Sequence, residues 1–354
     1  MRGFLAFSVV LYHGAIYRQF IINGQWEAPS NPYYTLIGSI GVATFFIITG
    51  YLFWSRLLLY KGKMNWSKFY INRVFRIFPV YIFCFLCVLI AVFIKSNGHL
   101  YVSYKTLLIQ IACWLPSGIL NLPDINNYPN TILLLAGVVW TLRYEWFFYF
   151  CLPFLKIFSC NFFASFCFCI FLLFTGIFCI QKNLFYIFSH GDMTYFCLFF
   201  IGMLVATLQS NINLRFLIKN NSVNSIASIF IIFLLIVLIR NYTVAYQIIP
   251  SLILGLIFYL IVSGCNIFGL LGLTSSLRMG EISYSIYLLQ GIIYSSLFSF
   301  ENIRLFSSHS SFFYWVTILL VCFLLSIAAY LVHIFIEYPG ILFGKKIIKT
   351  IYKK

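Results

Sequence analysis

Charged residues are scarce in this chain of 354 residues. Asp, Glu, Lys and Arg make up 8% of the sequence and hydrophobic residues 62%, whereas a soluble globular domain carries about 25% charged residues. This excludes a soluble globular protein. A chain of this length has room for about ten membrane spans of roughly 20 residues joined by short loops. We therefore predict an all-α integral membrane protein, a polytopic bundle of about ten transmembrane helices.

Several signatures of other chemistry are also absent. The eleven cysteines lie mostly in apolar stretches without His or Asp at metal-ligand spacing, which favours small buried residues over a metal site. The first apolar stretch lacks an A-x-A cleavage site, so we interpret it as a permanent span and not as a signal peptide. The glycine-containing stretch 38–51 is not a phosphate-binding loop, because no strand precedes it and no lysine follows. Its small residues instead favour close helix packing.

Ten apolar stretches are candidate spans within a single membrane domain over residues 1–354. Their predicted bounds are 3–22, 36–59, 77–95, 136–158, 162–180, 193–209, 224–240, 245–264, 281–299 and 313–337. The segment 104–120 is only moderately apolar, which indicates a re-entrant or interfacial helix. No internal repeat is evident.

Acidic residues are rarer than basic ones, seven against 23. A nucleic-acid-binding protein is also basic, but here the basic residues flank apolar stretches, as the positive-inside rule describes. With the N-terminus in the cytoplasm, sixteen of the 23 lie on the cytoplasmic side: Arg2, Arg56, Lys61, Lys63, Lys68, Arg73, Arg76, Lys156, Arg215, Lys219, Arg278, Lys345, Lys346, Lys349, Lys353 and Lys354. We predict an N-in, C-in topology and no nucleic-acid partner.

An ionisable residue lies inside the first span. His13 follows Arg2 by eleven residues, about three helical turns or about 16 Å along one helix face. Ionisable groups in membrane helices are costly and by default indicate a functional site. The alternative is a core histidine satisfied by a neighbouring helix, and the residue alone does not decide between them.

The segment 61–76 is predicted to be a loop that leads into the third span, and it carries five basic residues and no acid. Arg73 and Arg76 are three residues apart and share a helix face, and a pair of guanidinium groups can bind phosphate oxygens. Anchoring to anionic lipid head groups is the alternative, and charge alone favours it. Arg76 adjoins the apolar span, which weakens that alternative.

Two of the few acids lie in or beside spans. A buried carboxylate must pair or protonate. For Glu337, which shares a helix face with His333 four residues earlier, we favour an interhelical ion pair with a basic residue at the cytoplasmic edge. For Glu145, a functional role and an ion pair, for example with Arg143, both stay open.

Taken in order, six segments resemble the motifs of the membrane-bound acyltransferase 3 family, the O-acetyltransferases of O-antigen, capsule and peptidoglycan. The segments are Arg2–His13, Gly41–Leu52, Phe69–Pro79, Trp140–Tyr149, Ile282–Leu288 and Glu337–Pro339. Each motif is weak by itself, but six in the correct order make the resemblance strong. Together they are spread over nearly the whole chain.

The chain departs from the family pattern in three respects. Members usually have several residues before the Arg-Gly pair, so we expect either a start upstream or a first helix that begins abruptly. Many members have His where this chain has Gln290. Many carry an SGNH esterase-like domain, and we expect none here.

The resemblance implies transfer of an acyl group from cytoplasmic acyl-CoA, with acetyl-CoA as the expected donor co-substrate, to a hydroxyl of a lipid-linked or cell-surface carbohydrate. It implies a bacterial inner-membrane enzyme with no bound cofactor and no metal, in contact with membrane lipids; a homo-oligomer is compatible with it. His13 is expected to act as general base or acyl carrier, and Glu145 to orient it or bind the sugar. The expected acyl-CoA-binding residues are Arg2, Lys68, Arg73 and Arg76, and the expected substrate-binding or structural residues are Arg143, Tyr284, Tyr287 and Glu337.

Other classes of membrane protein stay open. A glycan polymerase or flippase is also polytopic and rich in aromatic residues, but it would use arginines in large outer loops. A transporter would show inverted repeats or broken helices in both halves. A regulatory or scaffold protein would not need His13.

Overall fold

The computed structural model describes residues 1–182, 184, 192–211 and 220–352. Within these ranges the chain is helical, with 80% helix and no strand, as predicted. Four of the basic residues assigned to the cytoplasmic side, Arg215, Lys219, Lys353 and Lys354, lie outside the described residues.

Fourteen α-helices are described in these ranges. They are α1 (Arg2–Asn23), α2 (Pro32–Leu59), α3 (Trp66–Lys95), α4 (Tyr104–Trp114), α5 (Trp140–Leu155), α6 (Phe162–Gln181), α7 (Asp192–Asn211), α8 (Asn221–Asn241), α9 (Ile248–Val262), α10 (Thr274–Glu281), α11 (Ser283–Leu297), α12 (Glu301–Ser308), α13 (Ser311–Val332) and α14 (Tyr338–Ile351). A π-helical turn, His333–Glu337, joins the last two.

Seven of the ten predicted spans fall on helical segments long and apolar enough to cross a membrane: α1, α2, α3, α6, α7, α8 and the continuous segment Ser311–Ile351. The other three fall on α5, α9 and α11, which have 16, 15 and 15 residues. At 1.5 Å per residue these helices are about 22–24 Å long, shorter than the roughly 30 Å hydrocarbon layer. The described residues thus support a multi-pass membrane protein with seven candidate spans.

Helix α3 begins eleven residues before the predicted span of 77–95. The Asn65 side chain accepts a hydrogen bond from the Lys68 backbone N–H at 3.0 Å and caps the helix, as asparagine does at N-termini. The prediction that the basic segment is a loop leading into the third span was therefore wrong for its second half. Lys68, Arg73 and Arg76 lie on the first three turns of α3.

The segment predicted to be re-entrant or interfacial contains α4. This helix ends at Trp114, two residues before Pro116. With 11 residues it is about 16 Å long and cannot cross the hydrocarbon layer alone.

The chain divides into two compact units. Unit 1 comprises Met1–Tyr12, Pro29–Met64 and Phe147–Gly280, and unit 2 comprises His13–Ala28, Asn65–Trp146 and Glu281–Lys354. Helix α1 therefore contributes its first half to unit 1 and its second half to unit 2.

In unit 1, α2 and α7 pack with their backbones in contact. A Cβ added to Gly50 would lie 2.2 Å from Phe199 O, and one added to Gly202 would lie 2.1 Å from Ile47 O. Only glycine permits such an approach, as small residues do in other membrane helix pairs.

In unit 2, α11 packs against α13, and α14 packs against α3. A Cβ added to Gly340 would lie 2.6 Å from Pro79 Cγ, and one added to Gly344 would lie 2.6 Å from Phe75 Cβ. The last helix therefore lies close against the start of α3, where the predicted basic residues are.

Candidate active site

One face of α11, in unit 2, carries a row of polar side chains. Tyr284, Tyr287, Gln290 and Tyr294 follow one another at three- or four-residue spacing, so they share this face. Tyr287, Gln290 and Tyr294 are buried. These polar side chains thus face protein.

His13 is oriented by Gln290. His13 is buried, with 8% of its surface exposed, and its Nδ1 lies 3.2 Å from Gln290 Oε1. Gln290 Nε2 donates to Tyr287 O at 2.9 Å, which fixes the amide orientation and leaves Oε1 facing the histidine. Because an amide oxygen only accepts, Nδ1 must carry the proton and donate. The neutral ring then has its lone pair on Nε2, the form that a general base needs.

Aromatic packing holds the ring of His13. The Trp26 ring stacks on it, with the ring centroids 6.4 Å apart. Tyr17, one helical turn after His13, lies 5.0 Å from Trp26, and its hydroxyl donates to Gly291 O at 3.4 Å. These contacts hold the second half of α1 against α11.

Glu337 lies at the centre of a buried ionic cluster. Its side chain is fully buried, and Oε1 lies 3.2 Å from Arg76 Nη2 in an ion pair without hydrogen-bond geometry. Oε2 accepts hydrogen bonds from Ser285 Oγ at 2.8 Å and His333 Nδ1 at 2.9 Å. The interhelical ion pair favoured from the sequence is confirmed, and its partner is Arg76. The π-helical turn that ends at Glu337 inserts an extra residue there, and such turns are frequent at functional sites.

The two predicted tyrosines anchor α11 to neighbouring segments. The Tyr284 hydroxyl donates to Ile77 O at 2.9 Å, and the Tyr287 hydroxyl lies 3.0 Å from Thr141 Oγ1. Glu145 is half-buried and lies on α5 one helical turn after Thr141, on the same helix face. The structure therefore places Glu145 beside the same face of α11, while the contact that orients Nδ1 of His13 comes from Gln290.

Arg143 holds the loop after α4. Its Nε donates to Gly118 O at 2.8 Å, and its Nη2 donates to Leu120 O at 3.0 Å and to Asn121 Oδ1 at 3.2 Å. Of the two roles predicted for this residue, these contacts favour the structural one.

The structure brings three of the four predicted acyl-CoA-binding residues together on α3. Lys68 Nζ lies 4.4 Å from the centre of the Tyr352 ring. The Nε atom of Arg73 is buried. Arg76 is the residue engaged by Glu337, and Lys68 and Arg73 lie on the turns of α3 before it. Arg2 belongs to unit 1, where its guanidinium group lies over an aromatic ring.

Gln290 is the site residue that sequence reasoning missed. It entered only as a departure from a pattern in which many relatives have histidine. Its spacing of three from Tyr287 was a usable signal, because it places a second hydrogen-bonding side chain on the same helix face.

In the described ranges, no group of three or more His, Cys, Asp or Glu side chains could hold a metal ion.

Comparison with known families identifies the family of the chain. A family model described as an acyltransferase domain matches residues 1–333. The match includes His13, Arg73, Glu145 and Gln290 and ends at His333, before the Glu-Tyr-Pro motif. No curated protein and no solved structure matches the chain. Because the family model covers most of the sequence, this multi-pass membrane protein belongs to the acyltransferase 3 family.

Proposed function

We propose that the protein is a membrane-bound O-acyltransferase of the bacterial inner membrane. It transfers an acyl group, expected to be acetyl, from cytoplasmic acyl-CoA to a hydroxyl of a lipid-linked or cell-surface carbohydrate. The observation that carries the proposal is the hydrogen bond between His13 Nδ1 and Gln290 Oε1, which leaves Nε2 as the basic nitrogen of a buried ring. A scaffold protein has no need of a histidine held in one tautomer.

The reaction follows from this geometry. Nε2 of His13 takes the proton of the acceptor hydroxyl, and the oxygen attacks the thioester carbonyl. The C–S bond breaks, the acyl group is then on the sugar oxygen, and the CoA thiolate takes the proton from the imidazolium. If Nε2 attacks the thioester first, the C–S bond breaks, CoA leaves as the thiolate and the acyl group is on Nε2. The acceptor oxygen then attacks this acyl group, the N–C bond breaks, and the hydroxyl proton passes to the CoA thiolate. Gln290 supports both routes because its Oε1 stabilises the positive charge that forms on the ring.

The basic start of α3 is the proposed donor site. Lys68 and Arg73 lie within two turns of each other at the start of α3, and both are positively charged. In the proposed N-in topology this end of α3 faces the cytoplasm, where acyl-CoA is present. The phosphates of CoA are the anions that such a pair would bind.

Purified protein in detergent, incubated with radiolabelled acetyl-CoA with and without a membrane glycolipid fraction, tests the proposed function. Label transfer to the glycolipid supports an acyltransferase. No binding of acetyl-CoA, or binding without label transfer to any glycolipid in the fraction, contradicts it.

Replacing Arg73 with glutamine is expected to raise the KM for acetyl-CoA about tenfold or more with little change in kcat, because a hydrogen bond to a charged group contributes about 1.5–3 kcal/mol. Initial rates over a range of acetyl-CoA concentrations measure this. The matched control is Lys105→Gln, which removes an exposed charge from α4. An unchanged KM would show that CoA does not bind at Arg73.

Replacing Gln290 with methionine is expected to lower kcat at least about tenfold, since the hydrogen bond that stabilises the imidazolium is lost. The KM for acetyl-CoA should not change. Gln290→Glu keeps an acceptor oxygen beside Nδ1 and should retain most of the activity. If both variants lose activity equally, together with thermal stability, Gln290 serves packing and not the histidine.

A further inference from the structure

Unit 2 contains a cavity of about 610 Å³ that has no role in the reaction proposed above. It lies beside the second half of α1, the end of α3, the end of α11 and the short helix α12. Its volume is in the range of sites for small ligands, about 300–1,000 Å³. The lining used in the argument consists of Tyr17, Trp26, Lys95, Tyr128, Phe298 and Arg304.

Aromatic rings form one wall of the cavity. Tyr17 lies 5.0 Å from Trp26 and 6.0 Å from Phe298, measured between ring centroids. Trp26 is half-buried, so part of its ring faces the cavity. Flat apolar faces edged by a hydroxyl or an indole N–H suit the C–H faces of a sugar ring, which also needs polar contacts at its rim.

The other feature of the cavity is positive charge. Lys95 and Arg304 line it, and both are exposed. The described residues that line the cavity include no Asp or Glu. In the ranges that the structure describes, neither cation lies within 4.0 Å of a carboxylate oxygen, and Lys95 Nζ lies 5.8 Å from the Tyr128 ring centroid. Both charges are thus available to a carboxylate or phosphate group of a ligand.

The cavity adjoins the candidate catalytic histidine. Trp26 lines the cavity and also stacks on His13, and Tyr17 lines it one turn along α1. The donor residues are at the other end of unit 2. Arg76 and Lys95 are 19 residues apart on α3, about 28 Å along the helix. A ligand in this cavity would approach His13 from the end opposite to the basic start of α3.

We propose that this cavity binds the acceptor and that the acceptor is an anionic carbohydrate. Its ring packs on Trp26 and Tyr17, and its carboxylate or phosphate binds Lys95 and Arg304, with a hydroxyl presented to His13. The inference rests on the proposed acyltransferase function for its meaning, but ligand binding can be measured without catalysis.

The test is binding of three probes to the purified full-length protein, measured by isothermal titration calorimetry. The probes are an oligogalacturonate, the same oligosaccharide with its carboxylates reduced to hydroxymethyl groups, and inorganic pyrophosphate. We expect the acidic oligosaccharide to bind at least about tenfold more tightly than the reduced one, and binding to weaken with salt. The variant Lys95→Gln/Arg304→Gln should lose this preference. The matched control Lys105→Gln/Arg240→Gln removes two exposed charges elsewhere and should keep it.

Pyrophosphate distinguishes the sources of negative charge. If it competes with the oligogalacturonate in the wild type and not in the Lys95/Arg304 variant, the cavity also accepts a phosphate-linked sugar, which supports the proposal. Trp26→Phe should weaken binding of both oligosaccharides by a similar factor, because the aromatic wall contacts the ring and not the charge.

Two results would overturn the proposal: equal affinity for the acidic and reduced oligosaccharides, or wild-type affinity in the Lys95/Arg304 variant. These are separable from a failure of the proposed function. Charge-selective binding without acyl transfer to any acceptor would support the proposed binding site and contradict the proposed acyltransferase function. Acyl transfer that is equally fast to neutral and acidic acceptors would contradict the anionic acceptor and support the acyltransferase function.

Discussion

Replacing His13 with alanine is expected to lower the kcat for acyl transfer by about 10²–10⁴-fold, the contribution of a positioned general base. The alanine variant removes the one ring nitrogen that the Gln290 hydrogen bond leaves basic. The loss should appear equally in kcat and kcat/KM, since proton transfer occurs in the transition state and not on binding. The measurement is the initial rate of label transfer from radiolabelled acetyl-CoA to the acceptor.

Two further variants serve as controls for this prediction. His13→Gln retains a donor for Gln290 Oε1 and fills most of the same volume, so it should fold as the wild type does and still be inactive. His99→Ala removes an exposed histidine and should leave the rate unchanged. Full activity of a folded His13→Ala protein would refute a catalytic role for this residue.

The same variants separate the two chemical routes. If His13 carries the acyl group, the wild type should become labelled by acetyl-CoA in the absence of acceptor, and the label should be missing from His13→Gln. If His13 acts only as a base, neither protein becomes labelled, and CoA is released only when the acceptor is present. Each result assigns one route, because an acyl-enzyme accumulates only in the first.

The residues that sequence analysis identified best are those whose chemistry conflicts with their surroundings. A histidine in an apolar span and a carboxylate at the end of one stand out without any structure, because each needs a partner there. The partners could not be predicted. Glu337 meets Arg76, which is 261 residues away in sequence, and His13 meets Gln290, which is 277 residues away. Only the packing of distant helices determines these contacts.

Helix bounds were predictable to the extent that hydropathy follows them. The start of α3 was missed because its first turns are basic, and a hydropathy window detects only the apolar remainder from Ile77 onward. The Asn65 cap was a local signal for the true start. Lys95 and Arg304 are not among the sixteen basic residues that the sequence analysis placed on the cytoplasmic side. Nothing in their local segments shows that they line one cavity with Tyr17 and Trp26.

Removing the carboxylate of Glu337 is expected to have the second large effect, on stability. Its side chain is fully buried and contacts Arg76, His333 and Ser285. Deleting one partner of a buried ion pair typically costs about 3–5 kcal/mol, and since 27% of the Arg76 side-chain surface is exposed, the lower end of that range applies here. We expect Glu337→Ala to lose this much free energy of unfolding, measured by unfolding in mixed micelles of increasing denaturing-detergent fraction.

A double-mutant cycle shows whether the loss arises from the ion pair. The cycle compares Arg76→Met, Glu337→Met and Arg76→Met/Glu337→Met with the wild type. The double variant removes both charges and keeps apolar volume, so it should be clearly more stable than Glu337→Met, since buried pairs replaced by apolar side chains often cost little. Glu301→Gln, an exposed acid at the start of α12, is the matched control and should change stability by less than about 0.5 kcal/mol. A Glu337→Ala protein with wild-type stability and no activity would contradict the structural role and assign the carboxylate to the reaction.

The cycle also tests the donor site, because the ion pair holds α14 against the start of α3. If Arg76 contacts both Glu337 and the phosphates of CoA, the double variant should be stable but have a raised KM for acetyl-CoA. If the phosphates are bound by Lys68 and Arg73 alone, the KM of the double variant should equal that of the wild type. We expect the second result, since Glu337 lies 3.2 Å from the Arg76 guanidinium and offsets its charge. A raised KM would instead show that the bound anion competes with Glu337 for Arg76.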